Sequence, residues 1–165
     1  MRTELIQLTQ YTTNDNPIEL DDYLNNSYAV YRAKNNNNDT FIYYRPDEIP
    51  SPEPRCDYIL TRNDALNFTS RFIELKGGDI QRKGRCCRTE WDHAFHQLAC
   101  TYNEFEPYIN SQTEAIMFVM CTSIEKKRVA AKFTKYKWYK ALQQYTNSVI
   151  VILYKNDFDE TLTAD

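Results

Sequence analysis

The sequence predicts an α/β fold, a central mixed β-sheet flanked by helices, on three observations. Two apolar runs rich in strand formers, Ala115 to Cys121 and Ser148 to Tyr154, have the length of buried strands only. Two further segments, Cys56 to Thr61 and Phe68 to Lys76, have strand composition and flank a turn that begins at Asn63 and Asp64, as a hairpin does. A long helix from about Glu90 to Tyr108 then sets Trp91, Ala94, Phe95, Leu98, Tyr102 and Phe105 within an arc of roughly 100 degrees, a face that should pack on the sheet.

The remaining elements follow from local chemistry. From Ile18 to Arg32, Leu20, Tyr23, Leu24, Ser27, Tyr28 and Tyr31 recur at three- and four-residue intervals, the stripe of a first amphipathic helix. The asparagine run Asn35 to Asn38 suits a loop, because its amides compete for local backbone bonds and tolerate left-handed geometry. Phe41 to Tyr44 reads as a short strand. Pro46, Pro50, Pro52 and Pro54 then remove donors and fix the backbone, so a loop follows. Lys126 to Tyr145 is basic and aromatic and reads as part helix.

With 165 residues, 42% hydrophobic and 26% charged, the chain suits a single domain. The expected division is an N-terminal helix and loop over 1–53, a core over 54–154 and a short tail over 155–165. No apolar run approaches the roughly eighteen residues of a membrane-spanning helix, and no secretory signal is visible, so a cytoplasmic location without membrane contact is expected. Cys56, Cys86, Cys87, Cys100 and Cys121 make an odd number, which favours reduced thiols. The net charge of −3 hides a segregation: residues 1–66 carry 6 basic and 11 acidic side chains, whereas Lys126 to Asn156 holds eight Lys or Arg and no acid. A basic surface strip is expected there.

The chemistry concentrates at the end of the second hairpin arm. In an extended strand Glu74 and Lys76 share a face while Ile73 and Leu75 point away from it. Gly77 and Gly78 follow and let a bulky ligand approach the backbone. If the Cys56 to Thr61 strand lies alongside, Asp57 brings a second carboxylate near Glu74. Two carboxylates at a strand end make a hard-oxygen site for Mg²⁺, and the neighbouring amine can orient water or offset charge growing on a phosphate.

Asp57, a hairpin-length gap, Glu74-Leu75-Lys76 and then a helix containing Gln97 resemble the PD-(D/E)xK nuclease superfamily, over roughly Pro54 to Tyr154. The resemblance implies a restriction-endonuclease-like fold and an endonuclease that hydrolyses phosphodiester bonds in DNA by a metal-activated water. It implies that Asp57 and Glu74 ligate Mg²⁺ or Mn²⁺, that the Leu75 carbonyl adds a ligand, that Lys76 serves the attacking water, and that Gln97 joins the catalytic set. Cys56 stands where the family name has proline, and Thr101 stands where some members carry tyrosine. Many members place an acid on the first helix, and Glu19 and Asp22 are both open for that role.

Lys126, Lys127, Arg128, Lys132, Lys135, Lys137 and Lys140 are interleaved with Phe133, Tyr136, Trp138 and Tyr139, and Arg82, Lys83, Arg85 and Arg88 would extend the basic footprint near the metal site. One reading is a solvated face over core aromatics. The preferred one is a phosphate-binding surface on which an exposed ring stacks on a base. DNA is the expected partner, with RNA not excluded. Domains this small often act as dimers so that two sites cut two strands, but no dimer seam is identifiable. His93, His96 and Cys100 share a helix side, yet they match no zinc spacing, and solvated histidines with half-buried thiols are the preferred reading. One histidine could instead border the active site. From a different class, the alternative to the enzyme is a non-catalytic nucleic-acid-binding or protein-interaction module that keeps the fold.

Overall fold

The computed structural model describes residues 8–22, 29–62, 69–77, 81–82, 85–86, 88–109, 115–123, 133–145, 147–154 and 160–162. In chain order the strands are β1 (Tyr11–Thr13), β2 (Ile18–Asp21), β3 (Val30–Lys34), β4 (Phe41–Tyr44), β5 (Tyr58–Thr61) and β6 (Ser70–Lys76), followed by β7 (Gln81–Arg82), β8 (Arg85–Cys86), β9 (Ile116–Thr122), β10 (Ser148–Leu153) and β11 (Glu160–Thr161). The helices are α1 (Arg88–Ile109) and α2 (Lys137–Gln143), with single 3-10 turns at Pro46–Glu48 and Phe133–Lys135.

The molecule is α/β, built on a mixed six-stranded sheet of order β1-β4-β5-β6-β9-β10. Its first four strands run antiparallel, and β6, β9 and β10 run parallel. The expected hairpin is β5 and β6, paired Tyr58 to Ile73, Ile59 to Phe72 and Leu60 to Arg71. The crossover from β6 to the parallel β9 carries α1, the connection such a pair requires.

Side-chain alternation divides the core in two. On one face Ile59, Phe72, Phe118 and Met120 meet Trp91, Ala94, Phe95, Leu98 and Phe105 of α1, the arc expected from its periodicity. Burying each large side chain contributes roughly 1.5–3 kcal/mol, against about 0–1 kcal/mol for a surface ion pair. The apolar arc therefore orients the helix. Leu142 of α2 and the rings of Tyr136, Phe133 and Tyr139 join this same core.

The other face carries Phe41, Tyr58, Leu60, Ile73, Leu75, Val119 and Cys121. It is covered not by a helix but by a three-stranded sheet of order β11-β3-β2, so the two described helices lie on one face and a second sheet on the other. This corrects the expected first helix over Ile18 to Arg32. β2 and β3 pair antiparallel, Ile18 to Ala33 through Asp21 to Val30. Ile18, Leu20, Tyr31 and Ala33 point inward, while Glu19, Asp21, Val30 and Arg32 point outward. That period of two is what a flat apolar sheet face selects. The three- and four-residue spacing joined residues of two strands across a connection, and Tyr23, Leu24, Ser27 and Tyr28 lie outside the described residues.

Two segments beyond the expected core also enter the fold. β1 and β4 widen the main sheet, and the expected tail contributes β11, beside which Leu162 is buried and its N–H donates to the Lys34 carbonyl at 2.9 Å. The asparagine loop is held by Asn35, whose amide nitrogen donates to the carbonyls of Asp15 and Asp39, while Asn38 adopts φ 51°.

Candidate active site

The β5–β6 register places Asp57, one residue before β5, opposite Glu74, so both side chains leave the sheet toward α1. Glu74 is 2% and Asp57 5% exposed. Asp57 Oδ2 accepts the Leu75 N–H at 2.7 Å, taking the place of a backbone partner where β5 has not yet begun. In a strand the N–H and C=O of one residue leave toward the same edge, so the Leu75 carbonyl is on the side of Asp57. Lys76, one pleat beyond Glu74, sets its Nζ 3.2 Å from Glu74 Oε1. Glu74 Oε2 is buried with no hydrogen-bond partner among the described residues.

Burial raises Asp57 well above the ordinary carboxylate range, helped by the charges of Glu74 and Asp47, and the Leu75 N–H offsets only part of this. Burial likewise pushes Glu74 up to about 8 against the opposing pull of Lys76, with Asp47 and Asp22 raising it further. Burial alone would lower the Lys76 ammonium. The charge and hydrogen bond of Glu74, with the fields of Asp57 and Glu90, more than offset it and hold Lys76 above the usual lysine value. Keeping a carboxylate out of water costs several kcal/mol, so packing stability does not explain this cluster, and such arrangements concentrate at functional sites.

Two further acids act on this pair: Asp47 raises both Asp57 and Glu74, and Asp22 raises Glu74. Of the two N-terminal acids left open, Asp22 is buried and its field reaches Glu74, whereas Glu19 is on the outer face of the small sheet, 3.3 Å from Arg32. Asp47 was missed by the sequence reading. It sits in the 3-10 turn Pro46–Glu48 of the proline-rich loop, and its only sequence signal is an acid directly after a proline that opens a turn. The first turns of α1 complete the rim, since Glu90 raises Lys76 and the charge of Lys76 helps burial to lower His93.

A set of long-range bonds holds the segment that delivers Asp57. Arg55 donates to the carbonyls of Pro46 at 3.3 Å and Ile49 at 3.0 Å. Its guanidinium also forks onto Glu104 of α1, Nη2 at 2.5 Å and Nε at 3.2 Å, and lies over the Phe105 ring. The Cys56 N–H donates to Thr101 Oγ1 at 2.8 Å, and the Thr101 hydroxyl donates to the Gln97 carbonyl. Gln97 Nε2 donates to the Arg55 carbonyl at 3.1 Å, which makes Gln97 a positioning residue for the Asp57 segment. Cys56 is buried, and burial raises its thiol well above the usual value.

The basic residues divide. Arg82 and Arg85 are backbone partners in the β7–β8 pair, and Arg88 opens α1. Lys135, Lys137 and Lys140 are exposed, whereas the rings between them turn inward: Tyr136 is buried, Phe133 and Tyr139 pack on Phe95, and Trp138 stacks on His96. This favours the solvated-face arrangement for the aromatics, leaving the lysines outside. Lys83, Lys126, Lys127, Arg128 and Lys132 lie outside the described residues. Among the described residues, no helix is long and apolar enough to cross a membrane. Compared with protein-family models, curated proteins and solved structures, the chain finds no match.

Proposed function

We propose that the protein is a Mg²⁺- or Mn²⁺-dependent nuclease of PD-(D/E)xK type that hydrolyses phosphodiester bonds in DNA. The observation that carries this reading is the buried Glu74 Oε2, without a hydrogen-bond partner among the described residues, beside Asp57 and the paired Lys76. The order of the antiparallel β4, β5 and β6, the helix α1 and the parallel β9 supports a restriction-endonuclease-like core.

Asp57, Glu74 and the Leu75 carbonyl would hold the cation, an all-oxygen set suited to Mg²⁺. When bound, the cation supplies Lewis acidity that polarises a phosphate oxygen and lowers the pKa of water. Lys76 is held protonated at neutral pH, so it acts as a hydrogen-bond donor that orients the attacking water and offsets charge growing on the phosphate. Arg55, Gln97 and Thr101 fix the chain on which Asp57 stands. The exposed Lys135 and Lys137 supply charge for the nucleic-acid backbone.

The test is incubation with supercoiled, linear, single-stranded and branched DNA and with RNA, with and without Mg²⁺ or Mn²⁺. Cleavage is expected only with metal, and Lys76→Met is expected to lower it by about 10²–10³-fold, the effect of removing one preorganised donor. Binding at low salt should persist in that variant. Binding without cleavage of any substrate by the native chain overturns the enzyme and leaves the non-catalytic module.

A further inference from the structure

We propose that Glu53, His96 and Cys100 form a second metal site, for a borderline cation such as Zn²⁺, that clamps the proline-rich segment onto α1. This goes beyond the nuclease reading and does not depend on it. The candidate ligand atoms of the three residues all lie within 4.8 Å of one another, and Cys100 Sγ is 4.0 Å from Glu53 Oε2. His96 and Cys100 sit one helical turn apart on the same side of α1, so a single ion can meet both. Glu53 arrives from a segment 47 residues away from Cys100, which is why no local spacing in the sequence reveals the set. His93 shares this side of α1, with its ring centroid 6.4 Å from that of His96, but the third ligand position is taken by Glu53.

The dimensions suit the ion. Tetrahedral zinc with bonds of about 2.0–2.3 Å holds its ligand atoms about 3.3–3.8 Å apart, so side-chain rotation of about 1 Å closes the set. The imidazole of His96 is already oriented by stacking on Trp138, with centroids 3.9 Å apart and planes at 15°. An N, S and O donor set selects Zn²⁺ over Mg²⁺, and three protein ligands leave a fourth position for solvent. The clamp would act close to the first site, because Glu53 precedes Arg55 by two residues and Gln97, which bonds the Arg55 carbonyl, lies between His96 and Cys100.

The experiment titrates the reduced, metal-free full chain with Co²⁺ and then Zn²⁺. Binding of Co²⁺ should produce a thiolate-to-metal charge-transfer band in the near ultraviolet and the visible bands of a four-coordinate ion, both displaced by Zn²⁺. Cys100→Ala should abolish the charge-transfer band. His96→Ala and Glu53→Gln should each weaken Co²⁺ binding at least about tenfold, the lower end of what even an outer-shell partner contributes, and His93→Ala should leave it unchanged. Glu53 is exposed, so Glu53→Gln remains informative even where His96→Ala disturbs the stack on Trp138. The proposal is overturned if the native chain gives no thiolate band, if the band survives Cys100→Ala, or if Glu53→Gln binds Co²⁺ as tightly as the native chain.

Discussion

Replacing Glu74 by glutamine is expected to lower metal-dependent cleavage at least about a hundredfold, and to flatten the dependence of stability on pH. The two effects share one cause. A glutamate in the unfolded chain titrates near 4.5, and buried Glu74 titrates at about 8. Between those values the folded chain keeps a proton that the unfolded chain has released, so stability falls as pH rises through this window. Asp57 is raised for the same reason and adds to the slope. A bound divalent cation reverses the balance, because it favours the ionised carboxylates and binds more tightly as pH rises. The native chain without metal should therefore be more stable at pH 5 than at pH 8, and Mg²⁺ should restore stability at pH 8. In Glu74→Gln the slope should shrink to the part owed to Asp57, and Mg²⁺ should no longer stabilise. Urea midpoints across this pH range, with and without Mg²⁺, measure both terms.

Arg55→Ala is expected to destabilise the fold by about 3–5 kcal/mol, the cost of breaking a buried pair by removing one partner. The side chain of Arg55 is 6% exposed and joins three parts of the molecule: the turn at Pro46, the loop at Ile49 and Glu104 of α1. Its loss leaves Glu104 facing a space it was paired to fill and frees the two residues before Asp57, so cleavage should fall with stability. The double variant Arg55→Ala/Glu104→Ala should lose less than the two single losses added, because the second change removes the stranded carboxylate. A shift of the urea midpoint equivalent to less than about 1 kcal/mol would place the pair among ordinary surface bridges.

The elements legible in the sequence were those whose pattern stays within one segment. The β5–β6 hairpin follows from strand composition on either side of a turn and the arc from Trp91 to Phe105 on α1 from a period of 3.6, with the arms expected from Cys56 and Phe68 beginning at Tyr58 and Ser70. That Asp57, Glu74 and Lys76 share one face was legible because pleating and hairpin register together put them there. The β2–β3 pair was misread because its inward residues, drawn across the intervening connection, imitate helical spacing. Asp47 and the ties from Arg55 to Glu104, from Cys56 to Thr101 and from Gln97 to Arg55 were hidden for a different reason. They join residues 49, 45 and 42 positions apart, or lie in a loop with no period, and only the packed fold brings them together. The aromatics from Phe133 to Tyr139 carried two meanings in sequence, base stacking or core, and the apolar face of α1 claims them for the core.

The two buried acids at the meeting of β5 and β6 are expected to bind a hard divalent cation. Calorimetric titration with Mn²⁺ tests it most directly, using the chain carrying Cys100→Ala so that the thiol-containing cluster does not contribute. A single Mn²⁺ per chain is expected, with affinity rising between pH 6 and 8 and falling at least about tenfold in both Asp57→Asn and Glu74→Gln. Equal Mn²⁺ binding by those two variants, or no binding by their parent at millimolar Mn²⁺, would contradict it.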